Sequence, residues 1–135
     1  LDFDMELAAR KSNENPVYYA QYAHARMCSI AKGARGLEPA EDVTGLEHEK
    51  ELALMKVLTE FPKVVQDAAR TRQVHKIVHY IQNLASHFHS FYNACKVIDP
   101  DAPELSAKRL ALVNAARIVL AEALTLIGVN APETM

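Results

Sequence analysis

Gln73-Val74-His75-Lys76-Ile77-Val78-His79-Tyr80-Ile81-Gln82-Asn83-Leu84-Ala85-Ser86-His87-Phe88-His89-Ser90-Phe91-Tyr92-Asn93-Ala94-Cys95-Lys96-Val97-Ile98 is the longest uninterrupted pattern in the chain. Val74, Ile77, Val78, Ile81, Leu84, Ala85, Phe88, Phe91, Cys95 and Ile98 recur at steps of three and four residues. That period puts side chains on one face of a helix. It predicts a helix of about seven turns over residues 73–98 with its apolar stripe toward a core. A stripe that long needs other helices to cover it. Asp99-Pro100-Asp101-Ala102-Pro103 ends the pattern on its far side.

Outward from there the same period returns. Residues 104–127 predict a last helix with Leu110, Val113, Ala116, Leu120, Ala123, Leu124 and Ile127 as its stripe, and Gly128 closing it. On the other side, residues 47–60 predict a helix using Leu52, Met55 and Leu58 or Val57. Pro62 interrupts it, and a short helix covers residues 62–70. Residues 33–46 are a polar loop rich in Gly, Pro and acid. Residues 16–32 read as a further helix, with Asn15 as cap, Pro16 in its first turn and Gly33 and Gly36 stopping it. Residues 1–12 read as a short amphipathic helix with Phe3, Leu7 and Met5 on its apolar side. Strand signals are almost absent. The expectation is an all-α fold, a helical bundle of about five or six helices.

A length of 135 residues fits one domain with one core. No apolar run approaches the roughly 18 residues that a membrane span needs, and no signal peptide is visible. The chain opens on Leu1 inside an expected helix, so it reads as a fragment of something longer. A formal net charge of −2 argues against a domain that simply coats duplex phosphates. It leaves room for one that grips a few splayed bases by stacking. Cys28 and Cys95, far apart in apolar helical settings, read as buried free thiols of a reducing compartment.

The chemically dense stretch is Asn15-Pro16-Val17-Tyr18-Tyr19-Ala20-Gln21-Tyr22-Ala23-His24-Ala25-Arg26, which holds three of the five tyrosines. Tyr19, Tyr22 and Arg26 fall at i, i+3 and i+7 and so share a face, with Tyr18 to one side. Ala20, Ala23 and Met27 lie elsewhere, toward neighbours. Two readings stand at this point. The tyrosines are core aromatics with satisfied hydroxyls, or they and the guanidinium form a stacking surface for unpaired bases. Tyr92, displaced by about 100° from Phe91, sits at the edge of its helix's stripe.

Other constellations carry less. His75 and His79 are four apart on one helix face but lack a third ligand or a partnering glutamate, and no metal site is expected. His87 and His89 point to different sides. Arg70, Arg72 and Lys76 form one basic cluster, and Lys108 and Arg109 another, with solvated faces as the default. No acid–base carboxylate pair, nucleophile elbow, glycine-rich phosphate loop or Cys-x-x-Cys is present. A self-contained enzyme is not expected, and no catalytic residue is assigned.

Three blocks together closely resemble the C-terminal, helical DALR-type anticodon-binding domain of the arginyl-tRNA synthetases, which are class I enzymes. They are residues 15–26 quoted above, Phe88-His89-Ser90-Phe91-Tyr92-Asn93, and Arg109 to Leu120 followed by Leu126-Ile127-Gly128-Val129-Asn130-Ala131-Pro132-Glu133-Thr134-Met135. Asn114-Ala115-Ala116-Arg117 keeps only part of the motif that names the domain. The blocks stand in the family's order and the likeness covers essentially the whole chain.

The resemblance implies a tRNA anticodon-loop binding domain, residues 1–135 as a single unit, with a catalytic domain upstream in the same polypeptide. That catalytic domain would join arginine to its tRNA using ATP and Mg, in the cytoplasm. Its signatures are absent from this chain, which alone would need no cofactor and would not aminoacylate. The anticodon contacts fall, by resemblance, on Tyr19, Tyr22, Arg26, Tyr92 and Met135. Tyr92 and Met135 come from the resemblance alone. Arg26 would pair with phosphate or hold the surface in shape. Tyr18, Gln21 and His24 would be packing residues or docking residues for the catalytic domain. Two other functions compete: a helical protein-interaction module, and the equivalent domain of another class I synthetase such as the cysteine or methionine enzyme.

Overall fold

A computed structural model describes residues 15–135. The helix expected over residues 1–12 lies outside the described residues. Five helices follow one another: α1 Pro16–Gly33, α2 Glu49–Thr59, α3 Phe61–Thr71, α4 His75–Ala94 and α5 Pro103–Leu126. No strand occurs among the described residues. The expected all-α bundle is what forms.

The helix ends follow local chemistry. Asn15 caps α1 by accepting the backbone N–H groups of Val17 and Tyr18 at 2.9 and 3.2 Å, with Pro16 in the first turn. His48 and Glu51 form a capping box at the start of α2, where His48 Nδ1 accepts from Lys50 N–H and Glu51 accepts from His48 N–H. Pro62 marks the start of α3 rather than a kink within α2. At the end of α5 the N–H groups of Gly128 and Val129 reach back to the carbonyls of Thr125 and Leu124, with Gly128 at φ 78°. This Schellman turn needs a left-handed residue, which glycine adopts without strain.

Helix α4 packs against each of the other four. Its Ile81, Leu84, Ala85, Phe88 and Phe91 are fully buried and meet Ala20, Ala23 and Met27 of α1, Leu54 of α2 and Val113, Ala116 and Leu120 of α5 in one apolar cluster. Tyr80 also lies inside, and its hydroxyl donates to the Val57 carbonyl at 2.7 Å, which satisfies the one polar atom it carries inward.

Four sequence expectations need correction. First, α4 ends at Ala94, not Ile98; Cys95 is extended. Cys95 and Val97 are both buried, with the exposed Lys96 between them. The spacing from Phe91 to Cys95 to Ile98 imitated a helix while the chain had already left it. Second, Leu52 is 48% exposed and does not belong to the buried stripe of α2; Glu51, Leu54 and Val57 do. A glutamate can occupy that face because Arg109 Nε donates to its Oε2 at 2.7 Å. Third, Arg109 does not sit on a solvated face. It is largely buried, and a second N–H donates to the Lys96 carbonyl at 2.9 Å. Fourth, Val74, also placed in the stripe, is exposed just ahead of α4.

Candidate nucleic-acid interface

Where the chain leaves α4 early, it opens a cleft of about 1070 Å³ against α1. Tyr22, Arg26, Ser29 and Ile30 of α1 form one wall. Tyr92, Asn93 and the segment 95–98 form the other. Thr134 and Met135 close one end. Four of the five residues singled out in the sequence thus surround one opening: Tyr22, Arg26, Tyr92 and Met135.

The centre of the cleft is the Arg26 guanidinium. It lies over the Tyr92 ring at 5.0 Å and over the Tyr22 ring at 5.9 Å. Cation–π contacts of this kind contribute about 0.5–1 kcal/mol each at exposed sites. No carboxylate lies within ion-pairing distance of Arg26 among the described residues, so its charge is not neutralised locally. Tyr92 is propped from below by Phe88, stacked on it at 6.0 Å and 22°. Tyr22 is 42% exposed and Met135 53%. A ring and a thioether this open to water, beside an uncompensated cation, offer a flat apolar surface with one positive charge.

Tyr19 goes elsewhere. It shares the helix face in principle, but its ring packs at 5.1 Å on His89 and against the core. Burial raises its phenol pKa. It lines a neighbouring groove of about 1110 Å³ with Lys63, Lys76, His79 and Asn83 rather than the cleft. Tyr18 is half-buried and lines neither. His89 stands between the two openings. Its pKa is lowered, by burial first and by the Arg26 charge second, and its Nε2 has no hydrogen-bond partner.

Gln21 and His24 do not line the cleft. Gln21 Nε2 donates to the backbone and side-chain oxygens of Asn130, each at 3.0 Å, and His24 Nδ1 donates to the Pro132 carbonyl at 2.8 Å. Both residues hold the segment that follows α5. Sequence reasoning missed Asn93, Ser29 and Lys96 as cleft residues. The Tyr92-Asn93 pair at the end of the α4 pattern was the available signal for the first. Lys96 carried none, because its place depends on the helix stopping early. His75 and His79 lie 6.1 Å apart edge to face, and no group of three or more metal-ligating side chains occurs among the described residues. Cys28 and Cys95 are buried free thiols, each with a pKa raised chiefly by burial.

The geometry thus defines an all-helical bundle with an open aromatic and cationic cleft between α1 and the end of α4. The profile of the DALR anticodon binding domain matches residues 20–135, and the chain belongs to that family. It is 53% identical over 139 aligned positions to the arginine–tRNA ligase of Bacillus subtilis strain 168, covering all of this chain and 25% of that protein. Arginine–tRNA ligase 1 of Halalkalibacterium halodurans is 50% identical over 139 positions with the same coverage. The solved Thermus thermophilus arginyl-tRNA synthetase superposes on the whole chain with a TM-score of 0.82 and 34% identity, using 24% of its own length. The chain thus spans about a quarter of the length of the curated relatives it matches.

Proposed function

We propose that this chain is the anticodon-loop binding part of an arginine–tRNA ligase, acting as one unit over residues 1–135 beside a catalytic part of the same polypeptide. The observation that carries it is the Tyr22–Arg26–Tyr92 arrangement at 5.0 and 5.9 Å, open to solvent and closed at one end by Met135. Unstacked loop bases would lie on the open Tyr22 ring and the Met135 side chain. Arg26 would hold the two rings in place and present its charge to the RNA backbone. Tyr92, supported by Phe88, would form the floor. Tyr19 would contribute from the adjoining groove.

Joining arginine to tRNA with ATP and Mg belongs, in this reading, to the catalytic part. No step of that reaction is assigned to the residues described here. The cytoplasm is the expected compartment. Two buried free thiols suit a reducing environment, and no helix among the described residues is long and apolar enough to cross a membrane.

The test is tRNA binding by the full-length protein, with transcripts that differ only in the anticodon, at several salt concentrations. Preference for arginine anticodons and affinity that falls with salt are expected. Equal binding of all anticodons, or none at any salt, would instead point to a protein-docking surface, and preference for another amino acid's anticodon to another class I synthetase. Stacking is worth about 1–3 kcal/mol per base. Tyr22→Ala should therefore raise the KM for tRNA roughly five- to 150-fold and leave that for arginine almost unchanged, while Tyr22→Phe stays close to wild type. Equal effects on both substrates would count against the cleft.

A further inference from the structure

We infer that Gln21 and His24 latch segment 129–135 onto α1 and so set the position of Met135 in the cleft, acting as positioning residues and not as RNA contacts. This rests on the cleft being the RNA-binding surface. After Gly128 turns the chain back, the segment runs along α1 with alternating roles. Val129 and Ala131 pack on the core. Asn130 and Pro132 carry the polar contacts, to Gln21 and His24 respectively. Gln21 and His24 stand at i and i+3 on neighbouring turns of α1, and their partners Asn130 and Pro132 stand two residues apart in the segment.

These bonds consume the donors involved. Both hydrogens of the Gln21 amide nitrogen have acceptors at 3.0 Å, which leaves that nitrogen nothing to offer RNA. A carbonyl only accepts, so the 2.8 Å contact to Pro132 fixes the His24 proton on Nδ1. His24 is buried. The remaining tie, Lys32 to Glu133 at 3.9 Å between exposed side chains, adds little. Among the described residues Thr134 and Met135 make no hydrogen bond of their own, so their place in the cleft depends on the three bonds that precede them.

The experiment uses the full-length protein carrying this chain and compares Gln21→Ala, His24→Ala and His24→Asn, alone and combined with Met135→Ala. Hydrogen exchange of the amides in 129–135, measured without RNA, should quicken in both alanine variants. The KM for tRNA should rise roughly two- to tenfold, the range for loss of an ordinary hydrogen bond, with kcat and the KM for arginine unchanged. His24→Asn keeps an N–H donor near the position of Nδ1 and should recover much of the loss. Because the latch acts through Met135, adding Met135→Ala to either variant should cost less than the product of the single effects. Multiplicative effects, or unchanged exchange in 129–135, would overturn the inference. If His24→Ala does not fold, Gln21→Ala carries the test, since its bonds lie at the surface. Tyr22→Ala, run in parallel, separates the two levels. A tRNA effect for Tyr22→Ala with none for the latch variants refutes the latch alone. Faster exchange with no tRNA effect from any variant, Tyr22→Ala included, refutes the cleft and the latch's role in it.

Discussion

Arg109→Leu tests how the wall of the cleft is built. Arg109 Nε donates to Glu51 Oε2 at 2.7 Å, and a second guanidinium N–H donates to the Lys96 carbonyl at 2.9 Å. Glu51 is 1% exposed, and its other oxygen accepts only the His48 N–H, at 2.9 Å. Removing the guanidinium leaves a buried carboxylate with a single neutral donor. Breaking a buried pair from one side costs about 3–5 kcal/mol, because the charge left behind has lost its water and its partner. Exposed pairs cost less than about 1 kcal/mol. Against a typical total stability of about 5–15 kcal/mol the loss is large. With a urea dependence of roughly 1–3 kcal/mol per molar, the midpoint should fall by on the order of 2 M. Urea denaturation followed by far-ultraviolet circular dichroism measures it. Replacing both partners, Glu51→Met with Arg109→Met, should recover most of the loss, since two apolar side chains leave no stranded charge. A midpoint shift of the exposed-pair size for Arg109→Leu would refute the argument, as would a double variant no better than the single one. The same arginine clamps the Lys96 carbonyl, so the 95–98 wall should loosen with it.

Two further perturbations probe the ends of the site. Gly128→Ala places a Cβ on a residue at φ 78°, where nothing crowds it but the backbone itself is strained for an L residue; a loss of about 1 kcal/mol is expected in the same denaturation assay, and a neutral result would mean the turn relaxes. His89 has its pKa lowered from 6.5 by burial and by Arg26. As pH falls through about 6.5 the unfolded chain takes up a proton that the folded one refuses, so stability is lost on acidification and kept above that pH. His89→Leu should abolish this share of the decline between neutral pH and pH of about 5, and equal declines in variant and wild type would contradict it.

The period of three and four located α2, α4 and α5, and the cap and breaker residues Asn15, Pro16, Gly33 and Pro62 located α1 and α3, because both signals act within a few turns of chain. Asn15-Pro16 and Gly128 were legible as a helix start and stop for equally local reasons. So were Tyr22 and Arg26 as neighbours, one helical turn apart. What lay beyond the sequence alone was which polar groups would find partners from far away. Glu51 turns inward only because Arg109, 58 residues on, meets it. Gln21 and His24 turn to the tail only because Asn130 and Pro132 come back 109 and 108 residues later. Tyr19 packs on His89 and lines the neighbouring groove, not the cleft. A repeat in the chain encodes which side of a helix is apolar. The satisfaction of a buried charge or donor depends on a second group in space, and only the folded arrangement of α1, α4, α5 and the tail supplies it.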